Sequence, residues 1–365
     1  MDSTPVSGTT PEERRDALSE RLFEAVLGLI DVHAVHIGDR LGFYRSLASG
    51  PMTPGALAAA TGTQERYARE WLEHQAVGGI LEVENGSAPP GERRYLLPPG
   101  HAEVLVDEDS LSCMAPFARM MVGMVRPLPA VMDAFATGGG VPYAEYDTDF
   151  CEGQGRMNRA MFVNLLASDW LPRVPDVHAR LLAAPPARVA DVACGTGWSS
   201  IALARAYPSA TIDGFDLDPY SVELAHANAA AAGVADRVTF AVRDAEALEG
   251  AYDLVTVFEA VHDMSRPVEA LAAVRRLVED GGTVIVADER VAESFTAPGD
   301  PIERLMYGFS ILHCLPVGLA EGPSAATGTA LRPETLRGYA EAAGFGGVAV
   351  LPIENDFWRF YRLDP

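Results

Sequence analysis

The sequence predicts a doubly wound α/β domain behind a winged helix and a helical connector, on three observations. Past residue 185, seven short apolar runs (RVADVA, ATIDGFD, RVTFAVR, YDLVTVFEA, GGTVIVADE, GGVAVLPI and FWRFYRL) mostly alternate with helical patterns. That alternation implies a mostly parallel sheet with helices on both faces, and the closely spaced last two runs imply an antiparallel edge hairpin. Residues 53–97 read as helix, turn, helix and two short strands. Residues 110–182 are helical and rich in methionine and aromatics, up to the loop AAPPAR.

Taken in order, the polar start MDSTPVSGTTPEERRD reads as a frayed tail. From Arg14 to Leu47, apolar residues recur at helical spacing. Thr53 with Pro54 starts the next helix and Gly62 stops it. A further helix is predicted from about Thr63, where Arg66 stands in place of the usual capping-box acid. Short strands follow near 80–83 and 94–97, joined by a Gly/Pro loop.

The 365-residue length suits two domains with connectors. A formal charge of −23 argues against a surface that tracks nucleic-acid phosphates. All 28 basic residues are arginine, which excludes a Schiff-base lysine and a P-loop lysine. Cys113, Cys151, Cys194 and Cys314 lie far apart without metal-ligand spacing and read as reduced thiols, so no metal is expected. No uninterrupted apolar stretch reaches membrane-spanning length; the Met114–Met132 run is broken by Arg119, Arg126 and three prolines. A cytoplasmic location without membrane contact is expected.

The chemistry-bearing signal is VADVACGTGWSSIALA. A strand delivers Asp191 to a turn whose Gly195 and Gly197 let a ligand approach the backbone. A second strand ends at Asp216, about twenty residues on, where an acid can accept from a ribose hydroxyl pair. Ser200 stands where a dinucleotide fingerprint would place its third glycine, which weakens the dinucleotide reading.

These motifs resemble class I S-adenosylmethionine-dependent methyltransferases, whose Rossmann-like seven-stranded sheet would cover 186–365. The resemblance implies that Asp191, Gly195 and Gly197 form the floor under the methionine portion, with Ala193 and Trp198 also in the cofactor set. It puts Asp216 on the ribose, Leu217 beside the adenine, Asp244 and Ala245 flanking it, and Phe258 in the same cofactor set. The segment Phe258–Met264, FEAVHDM, is similar to the His-Asp segment of small-molecule O-methyltransferases, with Met264 in place of their usual tryptophan. There a histidine removes the acceptor's proton, a role that maps onto His262, with Asp288 or Glu289 as supporting acid. Glu259 joins His262 and Asp288 in the candidate catalytic set, where it would hold cofactor or substrate, or else it caps a helix. WLPRVPDVHARL, FEAVHDMSRP and DFWRFYRL also resemble an actinobacterial winged-helix methyltransferase group often labelled as transcriptional regulators. The implied layout is a tail over 1–16, a winged-helix dimerisation domain over 17–110, a connector lining the substrate pocket over 111–185, and a catalytic domain beyond.

A histidine suits proton abstraction because its ordinary pKa lies near neutrality. His313 is an alternative base, and Tyr143, Met157, Phe162, Trp170 and Tyr307 are expected pocket walls. The expected partners are a small methyl acceptor, apolar or aromatic as in natural-product tailoring, and a second copy of the chain. A DNA-binding regulator is the rival reading. Against it, the helix from Thr63 offers Arg66 and Arg69 but also Glu65, Glu70 and Glu73. A carbon or nitrogen acceptor, needing less of a base, is the other alternative.

Overall fold

The computed structural model describes residues 10–365, so the first nine residues of the expected tail lie outside the described ones. The chain divides into two compact units, Met1–Val122 and Gly123–Pro365. The break falls inside the stretch expected as one connector.

In the first unit a helix spans Pro11–Arg40. It begins earlier than the tail expected through residue 16 allows, because Thr10 and Glu13 form a reciprocal capping box. The Glu13 N–H donates to the Thr10 hydroxyl at 3.2 Å and the Thr10 N–H to the Glu13 carboxylate at 2.7 Å. Helices Pro54–Thr61 and Glu65–Val77 follow, the second starting after Gln64 rather than at Thr63. Strands β1 (Glu82–Val83) and β2 (Tyr95–Leu96) pair antiparallel as the wing. Trp71 locks this core: its indole N–H donates to the Ala34 carbonyl at 2.8 Å, and its ring leaves no room for a side chain at Gly38. Leu18, Leu22, Val26 and Leu29 on the first helix are left exposed on the chain alone.

In the second unit, helices over Leu128–Thr137 and Thr148–Met161, the latter continuing as a wider helical turn to Trp170, precede the sheet. Its strands are β3 (Arg188–Val192), β4 (Thr211–Asp216), β5 (Val238–Val242), β6 (Tyr252–Phe258), β7 (Val278–Glu289), β8 (Gly347–Val350) and β9 (Trp358–Asp364). Their order is β5-β4-β3-β6-β7-β9-β8, parallel except for β9, which runs antiparallel to both of its neighbours. The chain winds outward from β3 to one edge and from β6 to the other, so the crevice that binds ligands in such sheets opens at the carboxyl ends of β3 and β6. Alternation along β3 sends Val189 to one core with Ile201 and Ile212, and Ala190 and Val192 to the other with Leu271 and Val274. Both faces are thus covered, as a parallel sheet requires. Among the described residues, no helix is long and apolar enough to cross a membrane.

Gly195 and Gly197 both adopt left-handed backbone, φ 52° and 83°, for different reasons. A Cβ at Gly197 would meet the Phe240 ring at 2.7 Å and the Ala225 Cβ at 2.9 Å, whereas one at Gly195 would meet nothing within 4 Å. Gly197 therefore serves packing, and Gly195 keeps open the space above the turn. Gly197→Ala should cost about 2–4 kcal/mol in urea unfolding, from strained φ plus overpacking. Gly195→Ala should cost about 1–2 kcal/mol, from the backbone alone. Equal losses would contradict the assignment.

Candidate functional site

A cavity of about 620 Å³ opens at the carboxyl ends of β3, β4 and β6, walled by the helix Thr148–Met161 and the segment near 317–321. Its floor is the turn after β3, where Ala193, Gly195 and Trp198 reach the cavity as expected. Ala193 has φ 57°, a conformation that a residue with a side chain adopts only under constraint.

Asp191 does not reach the cavity. It is 1% exposed, and its carboxylate accepts from the hydroxyls of Ser199 (2.5 Å), Ser200 (2.6 Å) and Thr256 (2.8 Å). Burial raises its pKa and the three hydroxyls oppose that. The expected contact with a ligand is therefore corrected: Asp191 ties the helix start and β6 to β3 from beneath the floor. Gly197 is likewise a packing residue outside the cavity lining.

Asp216, at the end of β4, does line the cavity. Its two oxygens accept backbone N–H groups, Gly195 on one (2.7 Å) and Asp218 on the other (2.9 Å). Burial pushes its carboxyl up to about 6, with those two N–H groups opposing. Leu217, Asp244, Ala245 and Phe258 also line the cavity. Asp244 accepts from the Glu246 N–H at 3.0 Å, which fixes the turn after β5.

Beyond β6 the placement departs from the expectation. His262 is 3% exposed and does not line the cavity. Its Nδ1 lies 2.9 Å from Asp288, and Cys314 is a further hydrogen-bond partner. Burial works to lower its pKa, but Asp288 outweighs that and holds it above the ordinary imidazole value. An enclosed ring outside the lining does not meet a molecule in the cavity, so the expected base is corrected on that geometric ground. Asp288 is 1% exposed and acts on His262 rather than on the cavity. The acids of the segment just after β6 that do reach the cavity are Glu259, at φ 56°, and Asp263. Burial pushes them up to about 7 and about 6, respectively.

Of the expected pocket walls, Tyr143 and Phe162 line the cavity and Met157 does not. Trp170 is a core residue packed on Trp358 and Phe360, a position set by its 1% exposure among large apolar side chains. Tyr307 is 37% exposed against Phe295, its hydroxyl accepting from Arg332 at 3.2 Å. His313 lies outside the cavity lining, stacked on Phe150 with ring centroids 4.1 Å apart. Burial, aided by the His262 charge, lowers its pKa to about 3, so it stays neutral.

Sequence reasoning missed Asn158, Asp263 and Arg159. Asn158 donates its amide N–H to Glu259 across the cavity wall. The Arg159 guanidinium covers the Trp198 ring at 4.3 Å. No local motif betrays Asn158 or Arg159, since only the fold brings their helix to the ends of the strands. Asp263 was passed over because its neighbour His262 drew the functional reading. Among the described residues no cluster of His, Cys, Asp and Glu could hold a metal ion.

Residues 185–310 match the family model described as a methyltransferase domain, and residues 30–107 match the Rv2258c-like winged HTH domain. The second unit carries a class I methyltransferase domain. A ubiquinone/menaquinone biosynthesis C-methyltransferase from Geotalea daltonii is 28% identical over 138 residues, 37% of this chain and 56% of that protein. The chain thus spans about half the length of such curated relatives. The mitomycin 7-O-methyltransferase MmcR superposes with TM-score 0.66 at 20% identity, over 96% of this chain and 98% of that one. Human N-acetylserotonin methyltransferase, solved with S-adenosylmethionine, gives 0.65 at 18% identity over 99% of both chains. At these identities the likeness to the solved structures is one of fold.

The cofactor of this domain is S-adenosylmethionine, and the cavity fits it. Open space lies above Gly195, Asp216 presents a carboxylate bound only by backbone N–H groups, and the Asn158 carbonyl oxygen is buried without a partner. Several cavity acids suit a ligand carrying sulfonium and ammonium charges.

The two pH effects on Asp216 have opposite signs. Its folded pKa lies above the ordinary 3.8, so the ionised form costs fold stability at neutral pH and protonation below about 6 relieves that cost. Hydroxyl groups, in contrast, are accepted by the ionised form. Affinity for S-adenosylhomocysteine should therefore be full near pH 7.5 and fall as pH drops through about 6. Asp216→Asn should weaken binding by about 1.5–3 kcal/mol, and should also lower the melting temperature of the ligand-free protein, because its amide nitrogen cannot accept the second backbone N–H. Calorimetry and thermal melts check both; unchanged affinity in the variant would remove Asp216 from the ligand site.

Proposed function

We propose that the chain transfers the methyl group of S-adenosylmethionine to a small, largely apolar or aromatic acceptor, as in natural-product tailoring. The observation that carries this reading is the meeting, in one cavity, of the open Gly195 turn, the Asp216 carboxylate, and a far wall of Tyr143, Phe162 and Phe258. Sheet-end carboxylates would hold the polar parts of the cofactor, while the aromatic rings suit a flat apolar partner. Relatives of like fold include enzymes named for 7-O-methylation of mitomycin and for N-acetylserotonin. The C-methyltransferase among the sequence relatives keeps carbon acceptors within the class.

When bound, S-adenosylmethionine supplies an electrophilic methyl on sulfur, so the protein's part is to align the acceptor and exclude water. In this reading Asp216 accepts from the ribose hydroxyls, Asp244 and Ala245 border the adenine, and the Gly195 backbone runs beneath the methionine portion. His262 is paired with Asp288 behind the cavity wall and does not touch the acceptor in this reading.

The winged helix fits dimerisation better than DNA binding. Arg66 and Arg69 are each taken up by an acid on their own helix, Glu70 at 2.5 Å and Glu65 at 3.6 Å, which leaves little positive charge for phosphates. The exposed apolar residues of the Pro11–Arg40 helix suit burial against the same helix of a second copy.

Calorimetry should find one S-adenosylhomocysteine site per chain, and labelled S-adenosylmethionine should methylate members of a panel of phenols, amines and polyketide-like compounds. Absence of cofactor binding would end the reading. Light scattering at micromolar concentration should give a dimer, and Leu22→Asp with Val26→Asp should give monomers; a monomeric parent protein would contradict the dimer. Gel shifts at physiological salt should show no sequence-selective DNA binding, and nanomolar selective affinity would restore the regulator.

A further inference from the structure

At the cavity wall and behind it lie four carboxyl groups and one imidazole: Glu259 and Asp263 after β6 on the wall, and Asp288 and Glu289 at the end of β7 with His262 behind it. Across the sheet, Arg359 on β9 stands in register with Asp288. His262 is turned onto Asp288 and Cys314, which leaves the cavity itself to Glu259 and Asp263. Glu259 differs from Asp263 in two respects. It receives the Asn158 amide N–H from the facing helix, and Glu289, 3% exposed, hydrogen-bonds it from behind. The other carboxyl oxygen of Glu289, Oε2, is buried without a partner.

We propose that Glu259, backed by Glu289 and positioned by Asn158, is the group that takes the proton from a hydroxyl or amine acceptor. The proposal rests on the methyltransferase reading above. Two carboxyls in contact cannot both stay ionised, so the pair holds one proton between them. Glu289, fully enclosed and facing Glu259, is pushed well above the ordinary carboxyl range by burial first and by that neighbour second; it keeps the proton. Glu259 remains the anionic half, pushed up to about 7 by burial and held there against the Asn158 donor and the His262 charge. A cavity-facing base near neutrality suits proton abstraction. As a hydroxyl O–H bond, or an N–H bond of an amine that arrives as ammonium, breaks, the proton goes to the Glu259 carboxylate and the electron pair stays on O or N, ready for a methyl electrophile. Asn158 is a positioning residue: its donated N–H fixes one oxygen and leaves the other for the acceptor. The left-handed backbone at Glu259, rare for a residue with a side chain, shows that its direction is imposed by the fold.

The test is an infrared pH titration of the protein saturated with S-adenosylhomocysteine, on the parent chain and on Glu259→Gln and Glu289→Gln. A carboxyl titration near pH 7 is expected in the parent, lost in Glu259→Gln and kept in Glu289→Gln, whose amide can still donate to Glu259. Both variants should still bind S-adenosylhomocysteine at pH 7.5, so that each is titrated at saturation. With any phenol or amine that the parent methylates, Glu259→Gln should lower kcat by about 10²–10⁴-fold. The acidic limb of the parent's kcat profile should lie near pH 7 and, in His262→Gln, persist but move to higher pH, since His262 lowers Glu259. A titration that survives Glu259→Gln, or that is absent from a protein still binding S-adenosylhomocysteine, overturns the proposal and leaves the methyltransferase reading standing. Loss of cofactor binding by the parent chain overturns both.

Discussion

Asp191 is a carboxylate with almost no access to water, and burying such a group unpaired would cost several kcal/mol. The cost is met by three hydroxyls converging on it from two other elements: Ser199 and Ser200 in the first turn of the helix after β3, and Thr256 on β6. Each can donate to Asp191 only while the helix start, β3 and β6 keep their present spacing. That spacing fixes the turn between them, and the turn is the floor of the cavity. Gly197 completes the arrangement by letting the helix settle against Phe240 and Ala225. The open backbone at Gly195, its N–H on Asp216, and the aim of the β6 end toward Glu259 all follow from this one buried knot.

The acids around the cavity divide by what surrounds them. Asp191 is saturated by hydroxyls and does structural duty. Asp216 is bound only by backbone N–H groups and faces open space, so a ligand's hydroxyls can reach it. Glu259 and Asp263 face the same space with pKa values lifted to about 7 and about 6, where small changes in surroundings alter their charge. His262 is the counterweight: its charge lowers Glu259, Asp263 and Glu289 and also helps keep His313 neutral. Keeping so many carboxyls together stores electrostatic stress in the ligand-free protein. A cationic ligand would relieve it.

Much of the fold was legible because its signals are local and repetitive. The seven strands follow from apolar runs that mostly alternate with helical patterns, and the wing from two short strands around a Gly/Pro loop. The glycine turn and the acid ending β4 were legible for the same reason, since their spacing along the chain is set by one strand–helix–strand unit. What failed depends on which way a side chain points once elements pack. Asp191 and His262 follow their strands as expected, yet one is turned beneath the turn and the other onto Asp288. Trp170 looked like a pocket wall because it is large and apolar, but Trp358 and Phe360 claim it for the core. Asn158 carries no sequence signal at all; it matters because helix Thr148–Met161 crosses the end of β6. The start of the first helix could have been read from Thr10 and Glu13, which form a complete capping box in sequence.

Where S-adenosylhomocysteine sits in a co-crystal structure tests the site most directly. The expected placement is one molecule per chain, with its ribose hydroxyls on Asp216, its adenine against Asp244 and Ala245, and its amino-acid end over Gly195 on the side of Glu259. Density elsewhere in the second unit, or a cavity left empty at saturating ligand, would contradict it.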